Sequence, residues 1–134
     1  MAHDFKAFPE LTNRQMQFYY FESPHKQIGQ NFTAKVIEVH DGDTVTVRWD
    51  ERNFDFPVRL AKINAPELNN GGRESKEWLK EQIENEEVEI MINPFNRVGK
   101  FGRIIGTIIV GGININQMSK DFGFSNTFGE ISVI

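Results

Sequence analysis

Cysteine is absent from the 134 residues, which rules out disulfides and thiolate metal sites alike. No run of about 18 apolar residues occurs, so no segment reads as a membrane-spanning helix. The opening residues Met1-Ala2-His3-Asp4-Phe5-Lys6 lack the apolar stretch of a secretory signal. The expected place of action is therefore inside a cell or a particle, with no membrane partner. An excess of basic residues is also missing: the net charge is −4 and the pI is near 5.4. That balance argues against retention on nucleic acid by bulk positive charge. It leaves room for a carboxylate cluster whose bound cation restores attraction for phosphate. There is no internal repeat and no low-complexity tract.

What remains is ordinary globular material, 39% apolar and 25% charged, long enough to bury a core without staples. Residues 1–30 stand apart as an aromatic-rich extension, and residues 31–134 read as a single barrel domain. Within the extension, Leu11 to Glu22 predicts a short helix capped by Thr12 or Asn13 and stopped at Ser23-Pro24. From Phe32 the pattern turns to strands. Phe32 to Val39 is rich in β-branched residues, and Thr44 to Trp49 alternates with Val45, Val47 and Trp49 on one face. Phe54 to Leu60 alternates again, placing Phe54, Phe56, Val58 and Leu60 on the core face and Arg59 on the other. A charged helix with Trp78, Leu79 and Ile83 on one side is predicted over Arg73 to Asn85. Further strands are predicted over Val88–Ile92 and Arg103–Val110, then a short helix over Asn116–Phe122 stopped by Gly123. This order predicts a mainly β, α+β fold. It is a five-stranded OB-fold barrel with one helix between the third and fourth strands and a short C-terminal helix, preceded by the N-terminal helical extension.

Three segments carry the chemistry. Asp41-Gly42-Asp43-Thr44 joins two strands and reads either as a plain hairpin turn or as hard oxygen ligands on a tight turn. Arg59 leads through Leu60 to Asn64-Ala65-Pro66-Glu67, a proline-stiffened loop at a strand end, where sites tend to be built. Arg97-Val98-Gly99-Lys100-Phe101-Gly102-Arg103 interleaves cations with glycine, as in a phosphate-facing loop or a merely solvated basic turn. His3, His25 and His40 form no ligand pattern and are expected to be structural or surface residues.

Taken in order, these segments resemble the staphylococcal nuclease family, over roughly Phe32 to Phe124. The shared features are an Asp-Gly-Asp-Thr hairpin, a strand arginine running into a Pro-Glu loop, a helix, and a Gly-Arg at the start of the last barrel strand. Ile115-Asn116-Gln117-Met118 through Gly123-Phe124 resembles the helix that follows in that family. The resemblance implies a calcium-dependent nuclease acting on DNA or RNA. It implies Asp43 as a direct metal ligand with Asp41 close behind it, and the Ala65 carbonyl as a further ligand. It implies Arg59 and Arg103 as the grip on the scissile phosphate, and Glu67 beside the attacking water. Arg97 and Lys100 are expected to meet the substrate from the basic loop.

Two departures qualify that expectation. Asn64 stands where the family usually has a second aspartate ligand, so weaker calcium binding or a different divalent ion is expected. Beyond the position of Gly123 the family usually continues into another long helix. Here Phe5, Phe8, Phe18, Tyr19, Tyr20 and Phe21 are expected to cover the barrel face which that helix would occupy, or to dock a protein partner. The competing readings are a catalytically silent OB-type module that binds nucleic acid or protein, and a structural component of a larger assembly such as a phage particle.

Overall fold

The computed structural model describes residues 3–66, 71–99 and 102–127. Its centre is a closed barrel of five strands. They are β1 (Phe32–Asp41), β2 (Thr44–Arg48), β3 (Phe56–Leu60), β5 (Glu87–Met91) and β6 (Ile104–Val110). β2 pairs antiparallel with β1 and β3, and β5 pairs antiparallel with β1 and β6. The ring closes through a parallel pairing of β3 with β6, which sets Arg59 opposite Ile105. Two register shifts in β1, between Val36 and Glu38 and between Val39 and Asp41, mark where this long strand bends to serve both neighbours. Short pairs decorate the barrel: β4 (Ile63–Asn64) with β8 (Asn126–Thr127), and β7 (Ile113–Asn114) with β6.

The alternation read from sequence is the burial pattern observed. Val45, Val47, Trp49, Phe56, Val58 and Leu60 all lie in the core, with Phe54 partly buried against it. β3 begins at Phe56 rather than Phe54. Gly106 is required where β6 crosses its neighbours, since a Cβ there would lie 2.5 Å from Ile90 Cγ2.

Two helices cover the barrel. α2 (Arg73–Ile83) seats Leu79 and Ile83 in the core and leaves its charged face to water. α3 (Ile115–Asp121) is tied to the barrel seam by Asn116. Its amide donates to Ala61 O (2.9 Å) and Gly106 O (3.2 Å) and accepts from Ile108 N (3.1 Å). Among the described residues no helix is long and apolar enough to cross a membrane.

The segment before β1 is fastened down, for the most part by side chains other than those expected. α1 (Asn13–Tyr19) has a reciprocal cap, in which Gln15 N–H donates to Thr12 Oγ1 and Thr12 N–H donates to Gln15 Oε1. α1 buries none of its residues. Phe18 is 71% exposed and Phe21 98%, so these aromatics do not cover the barrel. Leu11, Ile28 and the carboxylate of Glu10 are buried instead. The helix is too short, and its rings too scattered around the axis, to present one apolar face. The histidines are peripheral as expected: His25 Nε2 bonds Pro9 O, and exposed His40 bonds Thr46.

Candidate nuclease-like site

The Asp41–Thr44 hairpin turns tightly because Asp43 N–H donates to Asp41 Oδ1 at 3.0 Å, closing the turn with a side chain. Gly42 has no room for a side chain. A Cβ there would fall 2.0 Å from Ser75 Oγ, on the first turn of α2. The turn is thereby clamped between β2 and the helix, with the carboxylate of Asp43 largely buried. Its Oδ1 accepts from the Thr44 hydroxyl (3.0 Å) and its Oδ2 from Ala65 N–H (2.9 Å).

Arg59 reaches the same place from β3. After Leu60 the chain reverses at Ala61-Lys62, with Lys62 in the left-handed region at φ 63°, and returns as β4. That reversal brings Asn64 back beside Arg59. The guanidinium Nη2 lies 3.3 Å from Asp43 Oδ2 and 3.3 Å from Asn64 Oδ1, while Nη1 donates to Leu60 O at 3.0 Å. β8 holds β4 in place by pairing Asn126 with Asn64. The stacking of Trp78 on Phe124, 5.1 Å between ring centres, ties that strand back to α2.

Burial raises the Asp43 carboxyl above the usual range, and its neighbour Asp41 adds to the rise against the pull of the Ala65 amide and Arg59. Burial pushes Asp41 up as well, but hydrogen bonding with Asp43 and Thr44 and the Arg59 charge outweigh it, so Asp41 ends below the usual value. Two adjacent carboxyls pushed in opposite directions resist being ionised together, and a cation between them would relieve this.

Arg59 also lines a cleft of about 640 Å³ whose wall includes Ile63, Met91, Asn96, Arg103 and Ile105. The parallel register puts Arg59 opposite Ile105, and Arg103 lies two residues before Ile105, on the same side of the sheet. Arg103 Nε is buried with no hydrogen-bond partner among the described residues. Asp41, Asp43 and Asn64 are not part of the cleft wall. Arg59 joins their oxygens to it.

Of the residues singled out in the sequence, the structure thus brings together Asp41, Asp43, Asn64, the backbone of Ala65 and Arg59, and sets Arg103 across the same cleft. Glu67 and Lys100 lie outside the described residues. Arg97 is a correction. It is 4% exposed and faces inward, donating to Ile28 O, Leu11 O, Asn13 Oδ1 and Glu10 Oε2. A guanidinium with four of its five N–H donors taken in this way is held away from solvent and is not presented to a phosphate. Glu10 and Arg52 went unremarked in the sequence, and both are buried. A lone glutamate ahead of a short helix and an arginine in a turn carry no spacing signal.

Among the described residues no group of three His, Cys, Asp or Glu is placed to hold a metal. The available donors are two carboxylates and an amide oxygen, all hard oxygens of the kind calcium and magnesium take. The Arg59 guanidinium lies against two of these oxygens, on Asp43 and Asn64. The donor chemistry therefore fits a divalent ion, with Arg59 the group that would have to yield.

A family model described as staphylococcal nuclease homologue matches residues 57–124. That span contains Arg59, Asn64, Glu67 and Arg103 and leaves out the Asp41–Asp43 turn. An uncharacterised protein from Bacillus anthracis is 27% identical over 98 residues, covering 68% of this chain and 45% of that protein. The chain thus spans less than half the length of this relative.

Proposed function

The chain belongs to the staphylococcal nuclease homologue family, and on that footing we propose that it is a divalent-metal-dependent nuclease hydrolysing phosphodiester bonds in DNA or RNA. The observation that carries this reading is the placement of Arg59 and Arg103 on one cleft, with Arg59 simultaneously paired to Asp43. A phosphodiester is an anion that repels nucleophiles. Two forked donors meeting in one cleft can bind its non-bridging oxygens and stabilise the charge that grows on them. Arg103 Nε has no hydrogen-bond partner among the described residues, which supports that use of its guanidinium.

Asp43, Asp41, Asn64 and the carbonyl of Ala65 are the groups that would hold calcium, or another divalent ion suited to a site with one charge fewer than the family's. When bound, such an ion neutralises the phosphate and polarises its phosphoryl oxygen. Arg59, now paired with Asp43 and Asn64, would turn its guanidinium to the phosphate when substrate is bound. Glu67 would accept a proton from the attacking water or hold that water in line.

Asn64→Asp tests the ligand assignment. The change is nearly isosteric and adds a negative charge beside Arg59 Nη2, at present 3.3 Å from Asn64 Oδ1. Without metal, Arg59 compensates the new carboxylate, so unfolding free energy should stay within about 0.5 kcal/mol of the parent. Calcium carries twice the charge of the guanidinium and gains more from the added oxygen. Charge–charge attraction in a partly screened site is on the order of a few kcal/mol before desolvation. Calorimetric titration should therefore show tighter calcium binding, and activity should rise at low calcium but not at saturation. Unchanged calcium affinity would remove Asn64 from the metal site.

A further inference from the structure

We propose that Glu10, in the segment ahead of the barrel, is a positioning residue for Arg103, acting through Arg97 and the hairpin that carries both arginines. The inference rests on the reading of Arg103 as a phosphate grip.

Arg97 and Arg103 stand on the two arms of that hairpin. Ile105 N–H donates to Arg97 O at 2.9 Å, Gly99 N–H donates to Arg103 O at 2.8 Å, and Val98 bridges Ile104 between them. A shift of one arm therefore carries the other. Arg97 itself is anchored wholly outside the barrel. Its side chain bonds Glu10 Oε2 (2.7 Å), Leu11 O (2.8 Å), Asn13 Oδ1 (3.2 Å) and Ile28 O (2.6 Å). The opposite arm is touched as well. Gly102, at φ 67°, packs so closely under Phe8 that a Cβ would lie 3.2 Å from it. Asn13 reaches further back along the same loop, donating to Pro94 O at 2.8 Å. The segment from Phe8 to Asn13 is thus a strap across the loop that delivers Arg103 to the cleft.

Glu10 is what locks the strap. It is 2% exposed. One carboxylate oxygen takes Arg97 and the other takes Arg52, and the backbone N–H of Ile28 also donates to it. Arg52 is fully enclosed, its guanidinium 4.6 Å from the Phe56 ring centre and its Nη2 donating to Lys26 O. Burial and the nearby Arg97 charge depress Arg52 to about 10, and burial lowers Arg97 too, as expected of two buried cations gathered around one carboxylate. Removing that single negative charge leaves two like charges without an anion in a low-dielectric place. Arg97 has the easier path to water, because it sits on a surface loop and Arg52 is packed among rings. Its departure would loosen the strap and unfix Arg103.

The test uses the full chain and Glu10→Gln, which keeps the shape but removes the charge and one of the two acceptor oxygens. Amide exchange is followed well below the melting temperature, together with kcat and KM on nucleic acid. The expected result is exchange at Gly99 and Ile105 faster by about tenfold or more, with β1 and β2 unchanged. A fall in kcat of about tenfold or more should accompany it, larger than the change in KM, as for a displaced catalytic group. A merely structural role would speed exchange across the whole barrel or leave kcat per folded molecule alone, and either result overturns the proposal. Should Glu10→Gln not fold, Asn13→Ala removes two of the strap's contacts without stranding a buried charge. Faster exchange at Gly99 and Ile105 in that variant supports the proposal, and unchanged exchange there overturns it. If the parent chain cleaves no nucleic acid, the nuclease reading fails on that result alone. The exchange data then still decide whether Glu10 holds the Arg103 loop.

Discussion

Glu67→Gln is expected to lower turnover on DNA or RNA by about 10²–10⁴-fold while leaving stability and metal affinity close to the parent's. The substitution keeps size and one carbonyl oxygen but cannot accept a proton. Glu67 lies two residues beyond Ala65, whose N–H is fixed to Asp43 Oδ2, and leads into α2, whose Ser75 packs over the Asp41–Asp43 turn. The described residues on either side of it, Ala65 and Ser75, thus both lie at the proposed metal site. If Glu67 serves the attacking water, turnover falls at full metal occupancy, whereas a carboxylate used only as a ligand would lose activity through weaker metal binding. Measuring kcat at saturating calcium separates the two. Turnover within about threefold of the parent's would take Glu67 out of the mechanism.

Arg103→Ala and Arg59→Ala should each cost about 10²–10³-fold in kcat, the usual scale for losing one preorganised donor to a developing negative charge. Their metal dependence should differ. Arg103 touches none of the proposed ligands, so its removal should leave calcium affinity where it was. Arg59 now bridges Asp43 Oδ2 and Asn64 Oδ1, and its removal takes a competing cation away from both oxygens. Arg59→Ala should therefore bind calcium more tightly even as it loses turnover. Near-normal kcat in both variants would dissolve the phosphate grip. Weaker calcium binding in Arg59→Ala would show that the guanidinium supports the ligand set rather than competing with it.

How far the sequence foretells this molecule depends on the range of the interaction concerned. The barrel was legible because its information is local. Period-two alternation in Thr44–Trp49 and Phe54–Leu60, an amphipathic helix and an Asp-Gly-Asp turn each announce themselves within a few residues. The grouping of Asp41, Asp43, Asn64 and Arg59 was legible through the order of its motifs, although the bridge made by Arg59 was not. That bridge depends on the reversal at Lys62, a non-glycine residue in the left-handed region that no pattern flags. Arg97 was misread for the same reason that Glu10 was overlooked. A basic, glycine-punctuated loop looks like a phosphate site until a buried carboxylate 87 positions away claims one of its arginines. Phe18 and Phe21 were expected to cover the barrel by residue type alone, but both are exposed, and the neighbouring strap is held largely by charge and backbone contacts.

The central claim is that this chain uses a divalent ion held at Asp41, Asp43 and Asn64 to cut nucleic acid. Incubation of the purified chain with single-stranded DNA and with RNA, in calcium, magnesium, manganese or chelator, tests it most directly. The account predicts cleavage of at least one substrate with at least one of these ions, complete loss with chelator, and recovery when the ion is restored. Intact substrate under every condition, together with no divalent-ion binding by calorimetry even in the presence of a nucleoside diphosphate, would contradict it. That outcome would leave a barrel that binds without cutting.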